Sequence, residues 1–138
     1  MTRGRILIVE DEADLAWVEQ FNLEGEGYDV RVALEGRAAI AALDSFQPHV
    51  MILDLMLPHV NGWTVLAKAN ELPRGRRPLV IVVSAVAGAR DQVRAGDMGV
   101  GSFLQKPFDM DDLVRMVGEK FASNGRPSES SGPPEPVV

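Results

Sequence analysis

Asp54 closes the apolar run Val50-Met51-Ile52-Leu53, where a carboxylate loses hydration unless something compensates its charge. The rest of the chain offers that compensation. Glu10, Asp11 and Glu12 follow the apolar run "RILIV" (5–9), Ser84 follows "PLVIVV" (78–83), and Lys106 lies just past "SFL" (102–104). Carboxylates grouped without cysteine or a histidine partner make a site for a hard divalent cation. Mg²⁺ suits a few carboxylates completed by water and substrate phosphate. Lys106 supplies a positive charge and Ser84 a hydroxyl donor, both matched to a phosphoryl group. With its charge offset by metal and lysine, Asp54 can act as a nucleophile that accepts a phosphoryl group as an aspartyl-phosphate.

Something must bring residues so far apart in the chain together. The five runs 5–9, 28–32, 49–53, 78–83 and 102–104 read as strands, and three are apolar almost throughout, as strands covered on both faces are. Helical stretches lie between them. Asp14 to Glu24 carries Leu15, Val18 and Phe21 at helical spacing, and Gly36 to Ser45 carries Ala39, Ile40 and Leu43 before Pro48. Asn61 suits the N-cap of a helix bearing Val65, Leu66 and Ala69 and ending before Pro73. Ala89 to Met98 is interrupted by Gly96, and the helix after Asp109 aligns Leu113, Val117 and Phe121 on one face. Strand–helix alternation repeated five times predicts an open α/β domain, a doubly wound parallel sheet between two helical layers. Every chemistry-bearing residue then falls at a strand's carboxyl end, on the rim where such sheets place their sites.

Bulk properties narrow the function. At 138 residues the chain is one domain by length, and it has no cysteine for disulfides, thiol chemistry or thiolate metal sites. A net charge of −6 argues against a broad nucleic-acid-binding surface. No stretch approaches the ~20 apolar residues that span a bilayer, and the opening has no signal-peptide pattern, so a cytoplasmic location is expected. Residues 122–138 are rich in Pro, Ser and Gly without periodicity and read as a disordered tail or linker after a domain over 1–121.

From Arg5 to about Phe121 the chain resembles the receiver domain of two-component response regulators. "ILIVEDE" is similar to the family's acidic opening, with Glu10 and Asp11 as its paired acids. "DLMLPHVNGW" is similar to its phosphoacceptor loop, with Asp54 as acceptor and Gly62 as loop glycine. Ser84 in "VVSA" stands at the family's Thr/Ser switch, and "FLQKPF" supplies its Lys106–Pro107 pair. The resemblance implies a flavodoxin-like three-layer (βα)5 fold of strand order 2-1-3-4-5. It also implies Mg²⁺ held by Asp11, Asp54 and the Met56 carbonyl, with Glu10 acting through water. Phe103 stands where the family carries a rotating aromatic switch. His59 and Asn61 depart from the family's frequent Gly and Asp, and "GVGS" (99–102) from its "GADD"; none of these is a proposed ligand.

The function implied is phosphoryl transfer to Asp54 from a sensor histidine kinase or phosphotransfer protein, switching a protein-binding face. It is a signalling role rather than metabolic turnover. A phosphorylation-independent receiver-like binding module is the alternative, favoured only by loss of an acid, Asp54 or Lys106, and none is lost. A haloacid-dehalogenase-type phosphatase needs a second acid two residues after its nucleophile, where this chain has Met56. Apolar Met56 and Val86 offer water no polar anchor beside the phosphoryl group, so a long-lived aspartyl-phosphate is expected. His49 and His59 read as solvent-facing loop histidines, and Trp17 and Trp63 as packing or surface aromatics. Glu12 and Asp14 read as helix-start charges. A monomer or weak homodimer that uses its fourth and fifth helices for another partner is expected.

Overall fold

The computed structural model describes residues 2–85 and 88–122. The expected tail, Ala122 apart, and Val86 lie outside the described residues. Strands β1 (Arg5–Val9), β2 (Asp29–Ala33), β3 (Val50–Leu53), β4 (Leu79–Ser84) and β5 (Ser102–Gln105) alternate with five helices. These are α1 (Ala13–Gly25), α2 (Gly36–Ser45), α3 (Gly62–Asn70), α4 (Ala89–Asp97) and α5 (Met110–Lys120). The strands pair in parallel in the order β2-β1-β3-β4-β5, as the resemblance implies. A short 3₁₀ turn, Arg74–Arg76, follows Pro73 between α3 and β4.

Alternation along each strand divides the core into two layers. Leu7, Val9, Met51, Leu53 and Val82 pack against Ala39 and Leu43 of α2 and Val65, Leu66 and Ala69 of α3. Ile6, Ile8, Val50, Ile52, Ile81 and Val83 turn the other way, toward Ala16 and Leu23 of α1 and Leu113 and Val117 of α5. Each Val, Leu, Ile or Met among them contributes roughly 1.5–3 kcal/mol when fully buried.

Two expectations need correction. The apolar residues Val18 and Phe21 do not form the inward face of α1; both are exposed, Phe21 at 64% beside Trp17 at 62%, their rings stacked 5.5 Å apart. The buried face is instead Ala16, Glu19 and Leu23, because small Ala16 lets the helix lie close to the sheet. Nor is His49 simply a solvent-facing loop residue: it is half-buried. Its Nδ1 accepts the Arg5 N–H at 3.0 Å and its ring meets Phe121 edge-on, since it leads into β3 beside the start of β1. Burial first, and then the Arg5 charge, hold its pKa below the ordinary value.

Candidate functional site

Sheet register assembles the site. Val9 pairs with Leu53, and Leu53 with Val82, so the residues that follow these strands emerge on one rim. The Asp54 N–H donates to the Val9 carbonyl at 3.0 Å and the Lys106 N–H to the Ser84 carbonyl at 3.0 Å. Lys106 leads into a cis bond to Pro107.

The Lys106 ammonium lies among three acids. Its Nζ is 2.8 Å from Glu10 Oε1, 2.9 Å from Asp54 Oδ2 and 3.1 Å from Glu12 Oε1. Glu10 and Asp54 are buried, whereas the Glu12 side chain is 64% exposed, so the first two pairs carry most of the electrostatics. Burial above all, helped by the Asp54 charge, pushes the Glu10 carboxyl up to about 7, although hydrogen bonds from Lys106 and the Glu12 N–H pull it down. Burial alone would lower the Lys106 pKa; its hydrogen bonds to Glu10, Asp54 and Glu12 win and raise it above the ordinary lysine value.

The other Asp54 oxygen, Oδ1, accepts the Met56 N–H at 2.9 Å, which orients the carboxylate within its loop. That loop turns through His59, at φ 63°, a left-handed conformation in which the glycine frequent in the resembling family would be unstrained. It closes on α3: Asn61 caps the helix by accepting the Thr64 N–H at 3.0 Å, as its sequence position predicts. Gly62 is required there, because a Cβ would stand 2.5 Å from the Asp54 carbonyl oxygen.

Ligand oxygens of Glu10, Asp11 and Asp54 all lie within 4.8 Å of one another. Three carboxylates at that spacing, with Asp11 exposed at the mouth, match the donors that a hard divalent cation prefers. Beside them a groove of about 410 Å³ is lined by Glu12, Leu15, Ala85, Lys106, Pro107 and Phe108.

The family model for the response regulator receiver domain matches residues 6–118. The chain belongs to that family. The receiver domain is 34% identical over 113 residues to a DNA-binding dual master transcriptional regulator of Synechocystis sp., a match covering 82% of this chain and 47% of that one. It is 36% identical to the transcriptional regulatory protein PcoR of Escherichia coli, with 82% and 49% covered. It spans about half the length of the curated relatives it matches first. Among solved structures, the receiver domain of a sensor histidine kinase from Pseudomonas aeruginosa PAO1 superposes with TM-score 0.77 at 26% identity, covering 87% and 98% of the two chains. That protein has a magnesium ion coordinated in its active-site cleft. A receiver domain from Methanospirillum hungatei JF-1 superposes with TM-score 0.81 at 28% identity, over 88% and 95%. Receiver domains bind Mg²⁺ in this acidic pocket, and the acidic cluster is present here.

The expected residues fall as follows. Glu10, Asp11, Asp54 and Lys106 converge, and the Met56 backbone is bonded to Asp54. Ser84 is fully buried at the end of β4, and Phe103, half-buried in β5 opposite Val82, packs against the core layer of α2 and α3. Glu12 is more than a helix-start charge, because it turns to Lys106; position alone could not distinguish the two. Glu19 is a buried acid that the sequence does not mark, because its spacing from Ala16 and Leu23 is only one of two apolar stripes that α1 carries. No helix of the described residues is long and apolar enough to cross a membrane.

Proposed function

We propose that this receiver domain accepts a phosphoryl group on Asp54 from the phosphohistidine of a sensor kinase or phosphotransfer protein. The observation that carries the reading is the convergence of Glu10, Asp11, Asp54 and Lys106 on one rim. An Asp54 oxygen attacks phosphorus as the phosphorus–nitrogen bond breaks, and the departing imidazole nitrogen takes up a proton. Lys106 and the Ser84 hydroxyl then hold the phosphoryl oxygens. Asp11, Asp54 and the Met56 carbonyl, with Glu10 through water, would hold Mg²⁺. Bound there, the cation neutralises charge on the transferring group. Phe103 reports the change to the face formed by α4, β5 and α5. Incubation with Mg²⁺ and acetyl phosphate should give an intact-mass gain in the parent protein and none in Asp54→Asn. A gain that survives the substitution would refute the assignment.

The exposed Trp17, Val18 and Phe21 supply an apolar patch on α1, continuous through Leu15 with the groove beside Lys106. In our reading the phosphodonor's helix docks there. Trp17→Ala with Phe21→Ala should slow transfer from the cognate phosphodonor by about 30-fold, about 2 kcal/mol for lost aromatic anchors. Phosphorylation by acetyl phosphate should be unchanged; equal slowing of both would point to a folding defect instead.

Self-association draws little from Arg115. Arg115 is already engaged on its own helix, 3.0 Å from Asp112 and 3.6 Å from Glu119. Sedimentation velocity should therefore show a monomer or weak dimer with and without beryllofluoride. A tight dimer appearing on activation would contradict this.

A further inference from the structure

Helix α4 is weakly anchored. Ala95 is the one buried side chain among its described residues; Arg90, Gln92, Val93 and Arg94 are exposed, Val93 at 65%. Such a helix needs other contacts to fix its position, and two come from α3. The Arg94 guanidinium lies over the Trp63 ring, 4.1 Å from its centroid, and the Asn70 side-chain amide donates to the Met98 carbonyl at 2.8 Å. Trp63 is also the residue after Gly62, which lies so close to the loop that a Cβ would stand 2.5 Å from the Asp54 carbonyl oxygen, and whose N–H donates to the Leu55 carbonyl at 3.0 Å. Helix α3 thus meets the phosphoacceptor loop at its first turn and, through Trp63 and Asn70, the C-terminal end of α4.

We propose that the Trp63–Arg94 stack and the Asn70–Met98 hydrogen bond latch α4 in its resting position, making α3 a second link from Asp54 to α4, separate from Ser84 and Phe103. Phosphorylation shifts the loop against Gly62, turns the Trp63 ring and weakens the latch. This rests on Asp54 as phosphoacceptor. By linkage, a contact made only in the resting state opposes ligands of the active state by the same factor. A stack at an exposed site is worth about 2–5-fold.

The chain has two tryptophans, so Trp17→Phe leaves Trp63 as the sole indole reporter. Beryllofluoride with Mg²⁺ is the probe, its binding followed by fluorine NMR and the latch by Trp63 emission. Saturation should change the emission. Arg94→Gln should tighten beryllofluoride binding about 2–5-fold, and Arg94→Lys, which keeps a cation over the ring, should tighten it less. Binding with silent Trp63 emission, or an affinity unaltered in Arg94→Gln, overturns the latch alone. No binding to the parent protein overturns the phosphoacceptor reading, and the latch with it.

Discussion

Replacing Glu19 by leucine is expected to stabilise the folded domain by about 2–3 kcal/mol at pH 7–8, against the usual direction of core substitutions. Glu19 is 0% exposed on the inward face of α1, and neither carboxyl oxygen has a hydrogen-bond partner. Burial first, then the Glu10 charge, push its pKa from 4.5 up to about 8. Below pH 4.5 the folded and unfolded chains both hold this proton. Between 4.5 and about 8 only the unfolded chain releases it, so stability falls as pH rises through that window. At pH 7 the loss is about 3 kcal/mol, from 1.36 kcal/mol per unit. Leucine removes the loss, less the strain of a slightly larger side chain in a packed layer. Denaturant midpoints at pH 5, 7 and 8 give the check: the gain should grow with pH. Glu19→Gln should also flatten the slope, with a smaller gain because an unpaired amide stays buried. Part of the slope should persist in both variants, from Glu10 at about 7. A leucine variant no more stable than the parent at pH 8 would sink the explanation.

Removing the Lys106 ammonium should have an effect of opposite sign and similar size. Lys106→Ala leaves Glu10 and Asp54 buried side by side without the cation 2.8 and 2.9 Å from them. Breaking a buried pair from one side costs about 3–5 kcal/mol, and we expect the lower end because the Lys106 side chain is itself 13% exposed. The Glu12 contact adds little, being mostly in water. Mg²⁺ should restore part of the loss. Lys106 Nζ occupies Asp54 Oδ2 and Glu10 Oε1, so the variant should gain more from the cation than the parent does. Unfolding with and without Mg²⁺ measures both effects. A midpoint unmoved by the substitution in the absence of Mg²⁺ would show that the lysine does not hold the acids.

Much of this was legible in the residues themselves. Runs bounded by Pro, Gly and acids mark all five strands to within a residue or two; β1, β3 and β4 are nearly continuous apolar runs because both faces of those strands are covered, whereas β2 and β5, at the sheet edges, are mixed. Asn61 announces the start of α3, since its side chain can serve the free N–H groups there. The polar residues at or just past the carboxyl ends of β1, β3, β4 and β5 announce the site, because parallel strands deliver those ends to one rim.

What the linear order could not decide was how elements turn against each other. Helix α1 carries apolar residues on two faces, so periodicity alone favours Leu15, Val18 and Phe21, yet packing chooses Ala16, Glu19 and Leu23. That choice depends on how closely the helix backbone approaches β1 and α5, a property of three elements together. The same holds for His49, which is half-buried and bonded because β1 starts beside it, and for Arg94, which meets Trp63 across two helices. Strands, caps and the identity of the acids and lysine were thus set by the amino-acid sequence, through local periodicity and hydrogen-bonding capacity. The burial of Glu19, the hold of Lys106 on three carboxylates and the α3–α4 contact were decided by tertiary structure alone, because each joins residues whose distance depends on the packing of the whole sheet.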